Sequence, residues 1–174
     1  MTTRHILLIG FMGTGKSTVG EQLARNLNYA FVDLDAEIVK QVGRTIPDIF
    51  AQDGEVFFRE QESRILARLL RDRTRLLVIA TGGGVVLDEA NRKLMREHGA
   101  VIQLTAAEET IVQRVSQDRN RPLLQGDAAS RVRKLMLERQ GLYDFAHLIV
   151  PTDHLTVEQI NERIEAHLVN EKAY

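Results

Sequence analysis

The 174-residue sequence contains no cysteine, which excludes disulfides and thiolate metal sites and suits a reducing compartment. Net charge is almost absent: 23 Lys and Arg stand against 24 Asp and Glu, leaving −1. No global basic field therefore exists to hold nucleic acid or an anionic membrane. Long apolar runs are missing as well. The run after Arg4, HILLIG, is interrupted by Gly10 and Gly13 and closed by Lys16, too short for a signal-peptide core, and nothing approaches a membrane span. There is no internal repeat, no low-complexity tract and no long apolar surface stripe. What is present is 44% apolar and 27% charged residues, enough for one well-buried domain and too few residues for two comfortable ones. These totals predict a single domain over residues 1–174, cytoplasmic and monomeric, with neither nucleic acid nor membrane as partner.

Short apolar runs recur at His5–Ile9, Ala30–Leu34, Leu76–Ala80, Ala100–Leu104 and Leu148–Val150. Each reads as a strand buried on both faces. Helical spacing separates them, as in Val19, Leu23 and Leu27, or Ile65, Leu66, Leu69 and Leu70. Thr105 with Glu108 and Thr156 with Gln159 have capping-box spacing, Asp88 is placed to cap the next helix, and Gly99 is placed as a helix-closing C′ glycine. The alternation predicts a doubly wound α/β fold of five parallel strands, with ligands outside the carboxyl ends of the strands. From Glu37 to Asp72 no strand is predicted, only helical pieces, one started by Thr45 and Pro47; this reads as an insertion over one edge of the sheet. Residues 117–127, QDRNRPLLQGD, read as a flap.

The first predicted strand runs into GFMGTGKS, which matches G-x-x-x-x-G-K-[ST] at every fixed position and in the required strand–loop–helix context. Glycines let backbone N–H groups turn toward phosphate oxygens, and the following helix terminus adds positive potential. Lys16 is placed to reach β- and γ-phosphates, and Ser17 to ligate Mg²⁺. The same cradle serves GTPases, ATP-driven machines and small-molecule kinases. A guanine-reading Asn-Lys-x-Asp is missing and the chain is short for a mechanical ATPase, so a phosphotransferase remains.

An acceptor pocket must then exist. FVDLD ends the second predicted strand, and in extended chain Asp33 and Asp35 share one face. Such a pair suits divided work, one carboxylate toward Mg²⁺ and one taking a proton from a hydroxyl nucleophile. In TGGGVV three successive glycines, Gly82 to Gly84, imply close approach to the main chain, with their N–H groups as donors to a ligand oxygen. Arg59 and Glu62 have the i, i+3 spacing of an ordinary surface ion pair, and Arg139 alone would pass as the basic end of a helix.

Taken in order, GFMGTGKS, DLD, FFREQE, TGGG, RPLL and RQGLY resemble the shikimate kinase family, from Ile6 to about Asp153. The resemblance implies ATP-dependent phosphorylation of the 3-hydroxyl of shikimate, on the route to chorismate and the aromatic amino acids. It implies strand order 2-3-1-4-5, a substrate-binding insertion over about residues 36–72 and a lid over 117–127. For the nucleotide it implies contacts from Gly13, Thr14, Gly15, Lys16, Ser17 and Thr18, with Ser17 and Asp33 toward Mg²⁺. Asp35 falls on the position that holds substrate hydroxyls and is the candidate base. Arg59 and Arg139 match the pair that binds the shikimate carboxylate, and Gly83, beside Gly82, matches a backbone donor to a hydroxyl. Arg121 matches a lid arginine, Arg114 and Asp153 fall where adenine is held, and Phe50 and Phe58 line the ring pocket or simply pack. Gly141 departs from the proline common at that position. A kinase for another carboxylated polyol such as gluconate, or a nucleotide-binding domain without phosphotransfer, are the alternatives.

Overall fold

The computed structural model describes residues 4–115 and 128–170. In chain order the elements are β1 (His5–Ile9), α1 (Lys16–Leu27), β2 (Ala30–Asp33), α2 (Leu34–Val42), α3 (Ile46–Gln52), α4 (Gly54–Arg71), β3 (Leu77–Ala80), a 3₁₀ turn (Val85–Leu87), α5 (Glu89–His98), β4 (Gly99–Thr105), α6 (Glu108–Val115), α7 (Ala128–Glu138), β5 (Leu148–Pro151) and α8 (Val157–Asn170). All strand pairs are parallel, in the order β2-β3-β1-β4-β5. Among the described residues no helix is long and apolar enough to cross a membrane.

The period of two in β1 divides the core. Leu7 and Ile9 face one side, where they join Ile79, Val101 and the apolar stripes of α2, α3, α4 and α5. Ile6 and Leu8 face the other, packed with Val78, Ile102, Leu23 of α1 and Ile164 of α8. The three helices between β2 and β3 thus form half of the main core; they cover a face of the sheet, where an edge covering was expected. Leu34, Ile38, Ile49, Leu66 and Leu70 are completely buried there. The three inner strands are buried on both faces, as their sequences imply, apart from the carboxyl end of β4. The outer strands β2 and β5 are only partly buried, and Ile149 is 56% exposed, because each lies at a sheet edge.

The helix starts expected from sequence follow capping chemistry, except at Thr105. Thr45 accepts from the Asp48 N–H, Asp88 accepts from Ala90, and Thr156 and Gln159 satisfy each other's backbone N–H groups. Thr105 does not cap α6. It is the last residue of β4, held extended while its carbonyl accepts from the Thr152 N–H and hydroxyl. Asp153 caps instead, accepting from the Ala107 N–H at 3.0 Å and the Thr110 hydroxyl at 2.7 Å.

Gly99 likewise has a different reason from the one expected. Its φ is −151°, extended, so it is no left-handed C′ residue. It begins β4 opposite His5, where a Cβ would overlap Leu7 Cδ1 and lie 2.9 Å from the His5 carbonyl oxygen. Glycine is required by space. Gly99→Ala should destabilise the fold by about 2–3 kcal/mol, because the opposing atoms include strand backbone that cannot turn away. A urea midpoint equal to that of the parent chain would contradict this.

Candidate active site

The carboxyl end of β1 turns through the glycine loop into α1. Gly15 sits at φ +89° as the N-terminal flanking residue of α1, and no side chain caps that terminus, so its N–H groups are available to an anion. Gly10 is at φ +139°, where a Cβ would overlap the Leu104 carbonyl. Lys16 lies back over the loop and its Nζ donates to the carbonyls of Gly10 at 3.0 Å and Phe11 at 2.8 Å. Thr14 is buried and donates to Phe11. A cleft of about 270 Å³ opens beside the loop, lined among others by Gly13, Lys16, Ser17, Thr18, Asp33 and Asp35.

The two aspartates reach this cleft differently from the extended-strand expectation. β2 ends at Asp33, and Leu34 already begins α2. Asp33 is the N-cap: Oδ1 accepts from the Ala36 N–H at 3.1 Å, while Oδ2 accepts from the Ser17 hydroxyl at 2.7 Å. Asp35 lies in the first turn of the helix. An aspartate at a strand end is an excellent helix cap, and that preference overrides continuation of the strand. The Ser17–Asp33 pair offers hard oxygen donors at the cleft, the chemistry Mg²⁺ prefers when phosphates complete its shell.

The loop after β3 draws the remaining groups together. A Cβ on Gly82 would lie 2.8 Å from both Asp35 Oδ1 and Glu62 Oε1; one on Gly83 would lie 3.2 Å from Arg139 Nη1; one on Gly84 would press into the Arg59 guanidinium. Side chains from α2, from α4 and from the turn after α7 therefore converge on three residues that have none. The Gly83 carbonyl accepts from Arg139 Nη1 at 3.0 Å and from the Tyr143 hydroxyl at 2.9 Å, so this glycine is fixed through its oxygen as well. Asp35, Gly82 and Gly83 line the phosphate cleft; Arg59 and Gly84 line a cavity of about 740 Å³, and Arg139 and Phe11 line one of about 390 Å³.

Arg59 and Glu62 are far from an ordinary surface pair. Glu62 is 1% exposed and accepts from Arg59 Nη1 at 2.7 Å. Glu55, half exposed, accepts from Nε and Nη2 of the same guanidinium, which also lies 5.1 Å from the centre of the Phe58 ring. Arg139 is 3% exposed and lies 5.4 Å from the centre of the Phe11 ring. Burial pushes the Glu62 carboxyl up to about 6; the Asp35 charge adds to this, while Arg59 and Arg139 oppose it. Its Oε1 has no hydrogen-bond partner among the described residues. Burial also raises the Tyr143 hydroxyl. Glu62 and Tyr143 are the groups that sequence reasoning missed as site residues. The i, i+3 spacing was visible, but nothing in it distinguishes a buried pair from an exposed one. Phe50 and Phe58 pack on each other, centroids 5.0 Å apart, with Phe58 buried.

On the far side of the cradle, Arg114 donates to the Gly13 carbonyl at 2.9 Å, and its Nη1 lies 3.4 Å from the Thr152 hydroxyl. That places it between the phosphate loop and the β5 end. Asp153, expected near adenine, is engaged at the start of α6. Arg121 and the expected lid 117–127 lie outside the described residues. Gly141 is at φ +79°, a backbone conformation closed to proline, which accounts locally for the departure noted in the sequence.

A family model described as shikimate kinase matches residues 12–169. A shikimate kinase of Pelotomaculum thermopropionicum is 44% identical over 172 residues, covering 98% of each chain. Among solved structures, the shikimate kinase from Acinetobacter baumannii in complex with shikimate superposes with a TM-score of 0.93 at 37% identity, covering 98% of this chain and 96% of that one. A gluconokinase from Sinorhizobium meliloti reaches a TM-score of 0.61 at 20% identity, covering 97% and 93%, a likeness of fold alone.

The raised Glu62 carboxyl sets a pH dependence of definite sign. A carboxyl whose folded pKa lies above its unfolded value contributes stability that is full below the unfolded pKa and is lost as pH rises through the folded one, here about 6. Compared with Glu62→Gln, the parent chain should therefore gain about 1 kcal/mol on going from pH 7 to pH 5. Urea unfolding of both proteins at the two pH values checks this; a stability difference independent of pH would contradict it.

Proposed function

The chain belongs to the shikimate kinase family and catalyses ATP-dependent phosphorylation of shikimate, and on that premise we propose the 3-hydroxyl as acceptor and assign each role to residues of the site. The observation that carries the assignment is the meeting of Asp35, Glu62, Arg59 and Arg139 at Gly82–Gly84, immediately beside the phosphate cleft.

The amides at the start of α1 and the Lys16 ammonium hold the terminal phosphates, with Gly13, Thr14, Gly15 and Thr18 completing the cradle. Ser17 would ligate Mg²⁺ with Asp33 as an outer-shell partner, and the ion would neutralise charge on the β- and γ-phosphates. Arg59 and Arg139 pair with the substrate carboxylate, and Gly82 and Gly83 face its hydroxyls. Asp35 accepts the proton of the 3-hydroxyl as that oxygen bonds to the γ-phosphorus and the bond to the bridging oxygen of ADP breaks. The transfer asks mainly for alignment and for stabilisation of spread negative charge, which cradle and arginines supply. Arg121 is assigned to the phosphates, and Arg114 with the residues around Asp153 to the adenine side, on resemblance. The enzyme is read as a cytoplasmic monomer of one domain that uses Mg²⁺-ATP and takes neither nucleic acid nor membrane as partner.

The direct test is incubation with Mg²⁺-ATP and either shikimate or gluconate. Formation of 3-phosphorylated shikimate with no gluconate turnover is expected; ATP binding without phosphorylation of shikimate would overturn the reading. Arg139→Ala should raise the shikimate KM roughly 10- to 100-fold, the loss of a charge-assisted contact, with the ATP KM within about twofold of the parent. Arg139 is the cleaner target, since Arg59→Ala also strands the buried Glu62. Asp35→Asn should instead lower kcat by roughly 10²- to 10⁴-fold. Steady-state kinetics separates the two patterns, and an unchanged KM in the first or an unchanged kcat in the second would contradict the assignment.

A further inference from the structure

Arg59 is already engaged by two carboxylates. Its Nη1 donates inward to Glu62, and its Nε and Nη2 both donate to a single oxygen of Glu55. The guanidinium is backed by the Gly84 main chain and lies by the Phe58 ring, so its direction is set from within the protein. The edge that Glu55 occupies belongs to the cavity that Arg59 lines with Glu55 and Gly84.

The two acids differ in how readily they yield. Glu62 is 1% exposed, and taking the guanidinium from it would leave a buried charge unpaired. Glu55 is 49% exposed and four residues before Arg59 on the same helix. A pair of that kind biases its equilibrium only about twofold. Glu55 also stands in the first turn of α4, whose N-terminus has no side-chain cap. Released from Arg59, its carboxylate remains where the helix favours negative charge.

We propose that Glu55 is a displaceable internal carboxylate: it holds the outward donors of Arg59 until substrate binds, and the substrate carboxylate replaces it there while Glu62 stays in place. The proposal rests on the reading of Arg59 as a ligand of the substrate carboxylate. It makes Glu55 a specificity-determining residue of unusual sign, because it competes with substrate for the guanidinium. Only an anion able to match both donors better than one glutamate oxygen displaces it, which favours a bidentate carboxylate over a neutral polyol.

The test compares Glu55→Gln with Glu60→Gln. Glu60 is exposed on the same helix, lines the same cavity and makes no hydrogen bond to Arg59 among the described residues, so it removes equal charge without the contact. Glu55→Gln should lower the shikimate KM about two- to threefold, with the ATP KM unchanged and Glu60→Gln like the parent chain. Calorimetric titration with shikimate in the absence of ATP should show the same tightening. An unchanged KM overturns the proposal; so does a raised KM, which would make Glu55 a positioning group for Arg59. Equal falls in both variants also overturn it, in favour of a diffuse charge effect. A parent chain that fails to phosphorylate shikimate would overturn instead the functional reading on which the proposal stands.

Discussion

Close approach of charged side chains to three residues without side chains governs this molecule. Gly82, Gly83 and Gly84 leave room at the end of β3 for two carboxylates and two guanidinium groups drawn from distant parts of the chain. In water, assembling such groups gains little; away from water each is held by a partner or shifts its proton affinity. Glu62 does both, bound to Arg59 and pushed up by burial. Gly82 and Gly83 line the phosphate cleft and Gly84 lines a cavity with Arg59.

The sheet explains why these parts meet. In a parallel sheet the loops at the carboxyl ends share one edge, and here that edge receives the loops after β1, β2 and β3. The α2–α4 helices do more than carry Asp35, Arg59 and Glu62. Their apolar faces close one half of the core, so the positions of Asp35, Arg59 and Glu62 are set by packing of Leu34, Phe58, Ile65 and Leu66. A site mounted on a core is stiffer than one mounted on an exposed loop.

Much of this was legible in the sequence. The strand–loop–helix form of the glycine loop could be read, because a run of glycines between an apolar strand and a helix has local reasons. Strand order followed from the family resemblance, and the alternation of apolar runs gave the layers. The failures share a physical cause. Two aspartates in alternate positions suggest an extended chain through Asp35; Asp33 is indeed the end of β2, but its capping of α2 turns Leu34 and Asp35 into helix. Gly99 was read from its position after a helix, whereas its need for space comes from β1 across the sheet. Thr105 had the right spacing for a capping box but is held in β4 by Thr152, and Asp153 caps the helix from 46 positions away. Burial of Glu62 and the Tyr143 contact with Gly83 are likewise tertiary. Local chemistry can be read from spacing; what a residue meets across the fold cannot.

The space at Gly82 is the most direct test of the account. Its backbone is not in the left-handed region, so alanine is conformationally admissible, and the atoms a Cβ would crowd are the side-chain carboxylate oxygens of Asp35 and Glu62 rather than backbone. Measured by ADP release with saturating Mg²⁺-ATP and varied shikimate, Gly82→Ala should remain folded and bind nucleotide like the parent chain. Its kcat/KM for shikimate should fall by on the order of 100-fold, because the carboxylates are forced from the glycine loop. Turnover close to the parent value would contradict the claim that this convergence is what makes the acceptor site.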